Sequence, residues 1–118
     1  DLAGVWNSIR QIATALGVAG QGEQLVSQLA DRLAELQRRV DVFEERPTIA
    51  CLEWLDPLMA AGNWAPELVE IAGGRNLLSD AGTHSGYMTW EQLVAADPDV
   101  IVADPARPGG RAAATPRL

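Results

Sequence analysis

The sequence predicts an α/β chain in which a helical segment precedes a small unit of mixed strands and helices. Three observations point there. Apolar residues recur at spacings of three and four through residues 2–43. From residue 48 onward the order reads strand, helix, helix, strand, which suggests α/β layering around a parallel sheet. A single cysteine, Cys51, and a single histidine, His84, leave no disulfide framework and no Cys- or His-rich metal cluster to organise the fold instead.

The first helix is predicted over residues 2–16. Leu2, Val5, Trp6, Ile9, Ile12, Ala13 and Leu16 form one stripe, Trp6 is expected in the core, and Gly17 is a natural stop. A second helix is predicted from about Gln21 to Glu44. Val26, Leu29, Leu33, Leu36, Val40 and Phe43 repeat in heptad fashion, and Pro47 ends it. Thr48–Trp54 is partly β-branched and bounded by that proline, so it is predicted as a strand, with Cys51 a small core residue. Asp56–Pro57 opens a loop that runs to Trp64. Pro66 and Glu67 then start a short helix that Gly73–Gly74 closes. Residues 75–88 read as loop, with a short strand near Leu77–Leu78. Thr89-Trp-Glu-Gln92 has the form of a capping box. Asp97–Pro98 breaks the helix that follows. Val100–Ala103, a continuous apolar run, is predicted to be a buried strand.

Charge narrows the function classes. Sixteen acids face nine bases, all of them Arg, for a net charge of −7. An acidic chain without a basic stripe is a poor partner for a nucleic-acid backbone. No apolar run approaches the ~20 residues needed to span a bilayer, and no targeting segment is visible. Residues 105–118 carry three Arg, no acid and mostly Pro, Gly and Ala. Such a segment buries too little to offset its ordering entropy, so a disordered tail is expected.

No reaction chemistry stands out. His84 lies in a Gly- and Ser-rich stretch with no nucleophile or orienting acid at a recognisable spacing. Ser85 lacks a nucleophile-elbow context. His84 reads as either a solvated loop residue or a ligand-facing one. Four of the six aromatic residues are Trp. Trp54, Trp64 and Trp90 fall in loops or at element ends, where a flat ring either fills core or lines a cleft. Glu53 and Asp56 flank Trp54 at a strand's C-terminal end, where α/β sheets place ligands and where exposed acids are also common. Glu91 is an acid in a first helical turn, favoured there by the helix dipole, and exposed at a tip that could meet an Arg pocket on a partner.

Ala50-Cys-Leu-Glu-Trp-Leu-Asp-Pro57, Ala61-Gly-Asn-Trp64, Pro66–Leu77 and Thr89–Val102 resemble the vitamin B12 (cobalamin) substrate-binding proteins of bacterial ABC importers. These belong to a wider periplasmic group that also takes iron-siderophores and haem. The resemblance covers roughly residues 1–103. It implies two α/β lobes joined by a long stiff helix, with the ligand held noncovalently between the lobes and no reaction. Residues 1–46 would then be a helical segment containing the connecting helix, and 47–104 a partial C-terminal lobe. The loops carrying Trp54, Asp56, Asn63 and Trp64, and those carrying His84, Ser85 and Tyr87, match regions that face the cleft. Glu91 matches a position that docks the importer's transmembrane subunits. No bound cofactor is implied beyond the transported ligand. A full member is about twice this length, so the resemblance implies a fragment without the N-terminal lobe or a signal peptide, and with a divergent tail. Two alternatives stand beside cobalamin. One is haem or an iron-siderophore as ligand; against the siderophore, Arg75 is the one base between residues 47 and 104. The other is a helical interaction module using the heptad face of residues 26–43.

Overall fold

A computed structural model describes residues 1–103. Helix α1 (Leu2–Ala15) and helix α2 (Ala19–Val40) form a pair joined by Leu16–Val18. Asp1 caps α1 by accepting the Gly4 N–H at 2.8 Å, a cap that satisfies one of the orphan donors of the first turn. Gly17 ends α1 at φ 72°, the left-handed conformation glycine adopts without penalty. The two helices approach closely: a Cβ on Gly22 of α2 would run into Ala13, the one buried residue of α1.

Helix α2 starts two residues before the expected Gln21 and stops at Val40, short of Glu44. At 22 residues it is roughly 33 Å long. Phe43, the last heptad position, therefore lies outside the helix and is 65% exposed. Both free ends of the pair rest on the α/β unit. The Leu2 N–H donates to Glu67 at 2.5 Å, and a Cβ on Gly73 would collide with Val40.

The sheet is built on one strand, β1 (Thr48–Leu55). The remaining strands are β2 (Leu58–Ala60), β3 (Arg75–Asn76), β4 (Gly86–Tyr87) and β5 (Val100–Ala103). β3 and β5 run parallel to β1, while β2 is antiparallel to β1 and to β4. The expected parallel sheet is present as β3, β1 and β5, and it is extended to a mixed sheet: Leu55–Leu58 closes a tight hairpin where a loop was expected. β2 and β4 fall in stretches expected to be loop, and β3 lies two residues before the expected Leu77–Leu78. The carbonyls of Pro47, Ile49 and Cys51 accept from Arg75, Leu77 and Ala61 in turn. Alternate carbonyls of a strand point to one side, so β3 and β2 follow end to end along one edge of β1, and β5 takes the other edge.

Two short helices cover the sheet. Helix α3 (Ala65–Ile71) lies beside Ile49 and Cys51. Helix α4 (Trp90–Ala96) brings Leu93 to the opposite face, where Ala50, Leu52, Leu58 and Leu93 form the core with Leu78 and Met88 packed against it. The capping box is present as expected: Thr89 Oγ1 accepts the Gln92 N–H at 3.2 Å and Gln92 Oε1 accepts the Thr89 N–H at 2.8 Å.

Three burial expectations change. Trp6 and Cys51 are half-buried rather than core. β5 is exposed along its whole length, with Val100, Ile101 and Val102 at 42%, 39% and 48%. Its continuous apolar run called for two covered faces, and among the described residues neither is closed: Val102 faces α3 across a hollow. The expected disordered tail, 105–118, lies outside the described residues.

Candidate functional site

Strand β1 carries a bulge. Leu52 pairs with Ala60 and Trp54 with Met59, so Glu53 is the extra residue. A bulge bends its strand and re-aims side chains locally. Beyond it the register continues laterally: Trp54 faces Met59, and Met59 faces Tyr87 on β4. Paired residues of antiparallel strands project on one face. Trp54, Met59 and Tyr87 therefore form a row across three strands, half-buried at Trp54 and Met59 and 74% exposed at Tyr87. Leu58 and Ala60, which alternate with Met59, point into the core.

Two loops are zipped together beside this row. The Asn63 N–H donates to the Thr83 carbonyl at 2.6 Å and the Gly82 N–H to the Asn63 carbonyl at 2.7 Å. Ser79 Oγ donates to the Ala61 carbonyl at 2.5 Å. Ser85 Oγ accepts the Gly62 N–H at 3.1 Å and donates to the Glu53 carboxylate. The approach admits no side chain at residue 62: a Cβ there would collide with the Thr83 carbonyl and lie 2.7 Å from the Ser85 nitrogen. Asn63 takes the left-handed conformation at φ 57°, where asparagine is among the better tolerated non-glycine residues.

A hollow of about 390 Å³ opens along the second loop, with Leu78, Asp80, His84, Tyr87, Met88 and Gln92 in its wall. Among the described residues, no Arg contributes to it. A second, apolar hollow of about 330 Å³ separates α3 from Ile49, Cys51 and Val102.

The expected site residues divide accordingly. Trp54 and Tyr87 share the strand row. His84, exposed, and Tyr87 stand in the wall of the first hollow. Asn63 and Ser85 hold the loop clamp. Trp64 is 49% exposed at the start of α3 and Asp56 is exposed in the hairpin turn; neither lines that hollow. Glu91 stands apart, exposed in the first turn of α4. Its own backbone N–H and the Thr89 hydroxyl hold its carboxyl below the usual range, which keeps it ionised. Met59 joined the row unannounced, because a three-residue strand is too short to show alternation. Glu53 was legible as an acid near a strand end, but its Ser85 partner is 32 residues away. Among the described residues, no group of three His, Cys, Asp or Glu side chains could hold a metal ion, and no helix is long and apolar enough to cross a membrane.

The sequence profile of the periplasmic binding protein family matches residues 2–114. The chain belongs to this family. Its members are solute binders rather than enzymes. A search of curated proteins gave no match. Among solved structures, the periplasmic haem-binding protein RhuT of Roseiflexus sp. RS-1 is 28% identical, with a TM-score of 0.67 over 83% of this chain and 39% of that one. A component of an ABC-type Fe3+-hydroxamate transport system from Saccharomonospora viridis is 25% identical, with a TM-score of 0.70 over 83% and 34%. IsdE of S. aureus, solved with haem, is 22% identical, with a TM-score of 0.72 over 87% and 41%. The chain thus spans about two fifths or less of the length of these three proteins. Its helices and curled mixed sheet match a partial lobe of the periplasmic binding protein fold, as expected from the sequence.

Proposed function

We propose that this chain is part of the extracytoplasmic substrate-binding component of an ABC importer, and that it contributes one wall of a site for a flat, metal-containing macrocycle, cobalamin in the first instance. The observation that carries this reading is the Trp54–Met59–Tyr87 row, whose Tyr87 also stands in the wall of a hollow to which, among the described residues, no Arg contributes. Aromatic faces and a polarisable thioether suit a broad planar ligand. Among the described residues Asp80 brings a carboxylate to the hollow, which suits an anionic chelate poorly and is tolerable for an amide-rimmed, uncharged ligand.

Haem is the second reading. RhuT, at 28% identity, is a haem-binding protein, and His84 and Tyr87 supply an imidazole and a phenol, both of which ligate haem iron in other proteins. Iron-siderophore capture ranks below both, because among the described residues the hollow offers no Arg to an anionic chelate.

Titration separates them. Cyanocobalamin added to the chain should quench tryptophan emission, and Tyr87→Ala should weaken binding by ~1 kcal/mol or more, whereas Trp64, outside both the row and the hollow, should matter less when changed to Ala. Tighter binding of hemin, with a Soret shift that His84→Ala abolishes, would replace cobalamin by haem. Glu91 is proposed as a docking acid for the importer's transmembrane subunits. In a longer protein containing this lobe, Glu91→Arg should leave ligand affinity intact and reduce uptake, because it sets like charge against an Arg pocket. Normal uptake would leave Glu91 an ordinary helix-start acid.

A further inference from the structure

We infer that Glu53 is a positioning residue: through Ser85 its carboxylate fixes the segment 82–87, and so sets where His84 and Tyr87 stand. The inference rests on the ligand-binding reading only for its consequence, since the latch itself is a matter of geometry. Glu53 is the bulged residue of β1, the strand on which the whole sheet is built. Ser85 Oγ has one proton, which goes to the Glu53 carboxylate. That choice turns a hydroxyl lone pair to the Gly62 N–H at 3.1 Å. One hydroxyl therefore joins three separate stretches of chain. Its bond to the carboxylate is charge-assisted and stronger than a neutral one.

The consequence follows from adjacency. Ser85 directly follows His84 and directly precedes β4, whose Tyr87 pairs with Met59. Fixing Ser85 fixes the entry to β4, and β4 is only two residues long, too short to hold its own register. Backbone bonds at Asn63 and Gly82 close the loops on one another. The Glu53–Ser85 bond ties that closed pair to the central strand by side chains.

Amide hydrogen exchange on the whole chain tests this in Ser85→Ala, Glu53→Ala and Glu53→Gln. The first two should speed exchange at Gly62, Asn63 and Gly82 by about tenfold or more, while the β1–β5 amides keep their rates. Glu53→Gln keeps a carbonyl acceptor and should stay within about threefold of the parent. Unchanged loop amides, or equal acceleration throughout the sheet, would overturn the inference. A parallel cyanocobalamin titration should show weaker binding wherever the loop is loosened. Undiminished affinity with a loosened loop would overturn the positioning role. If the parent chain binds neither cyanocobalamin nor hemin, the ligand reading fails, and the exchange rates still decide the latch.

Discussion

Along one edge β1 is closed by β3 and β2, whose own loops are zipped to each other. Along the other, among the described residues, it meets only β5, whose three large apolar side chains are between 39% and 48% exposed. The backbone ladders are comparable: β5 pairs with β1 over four residues, Ile49–Leu52 against Val100–Ala103. The difference lies in what covers them. On the closed side Leu58 and Ala60 are buried at 5% and 4% and share a core with Leu52 and Leu93. On the β5 side the structure leaves an apolar hollow under α3. Hydrogen bonding therefore defines a strand without burying it, and burial needs a second layer.

The contrast can be broken most severely at Leu52, which is 2% exposed. Leu52→Ala should cost ~2–5 kcal/mol, from lost transfer energy and the cavity left behind, measured as a large fall in urea midpoint. A loss below ~1 kcal/mol would mean the core relaxes freely around the site.

Asp99 gives a smaller, pH-dependent effect at the β5 edge. Its carboxylate accepts the Thr48 N–H at 2.8 Å and the Thr48 hydroxyl at 2.7 Å, and the Thr48 hydroxyl accepts the Asp99 N–H at 2.9 Å. The backbone bond first, and then the hydroxyl, lower its carboxyl from the usual value. A depressed folded value means the stabilisation is full above the unfolded value and is lost as pH falls through the folded one. Asp99→Ala should therefore lower the urea midpoint at about pH 7 and approach the parent at about pH 2. A difference that persists unchanged in acid would assign the effect to packing instead of charge. Smallest of all, Val102→Thr should change stability by no more than ~0.5 kcal/mol. A larger loss would show that the β5 face is covered in solution.

Much of the local structure was legible. The Asp97–Pro98 break, the stop at Gly17 and the capping box of Thr89 and Gln92 depend on neighbours a few residues apart, and each of these signals has a local physical cause. The α1 stripe was equally legible, although only Ala13 of it is fully buried. β2 and β4, at three and two residues, were not, because alternation needs more positions than they have. The α2 boundary failed at Phe43, where the apolar pattern outlasts the helix.

By itself the sequence determined the helices α1–α4, the capping box of the last, the strands at Thr48 and Val100 and the family resemblance, since these rest on local propensity, periodicity and contiguous motifs. Tertiary structure alone decided the Trp54–Met59–Tyr87 row, the Glu53–Ser85 bond and the exposure of β5. A row depends on register, the bond joins residues 32 apart in sequence, and burial depends on which layer lies opposite. None of these is a property of a residue and its near neighbours, so no local pattern could carry them.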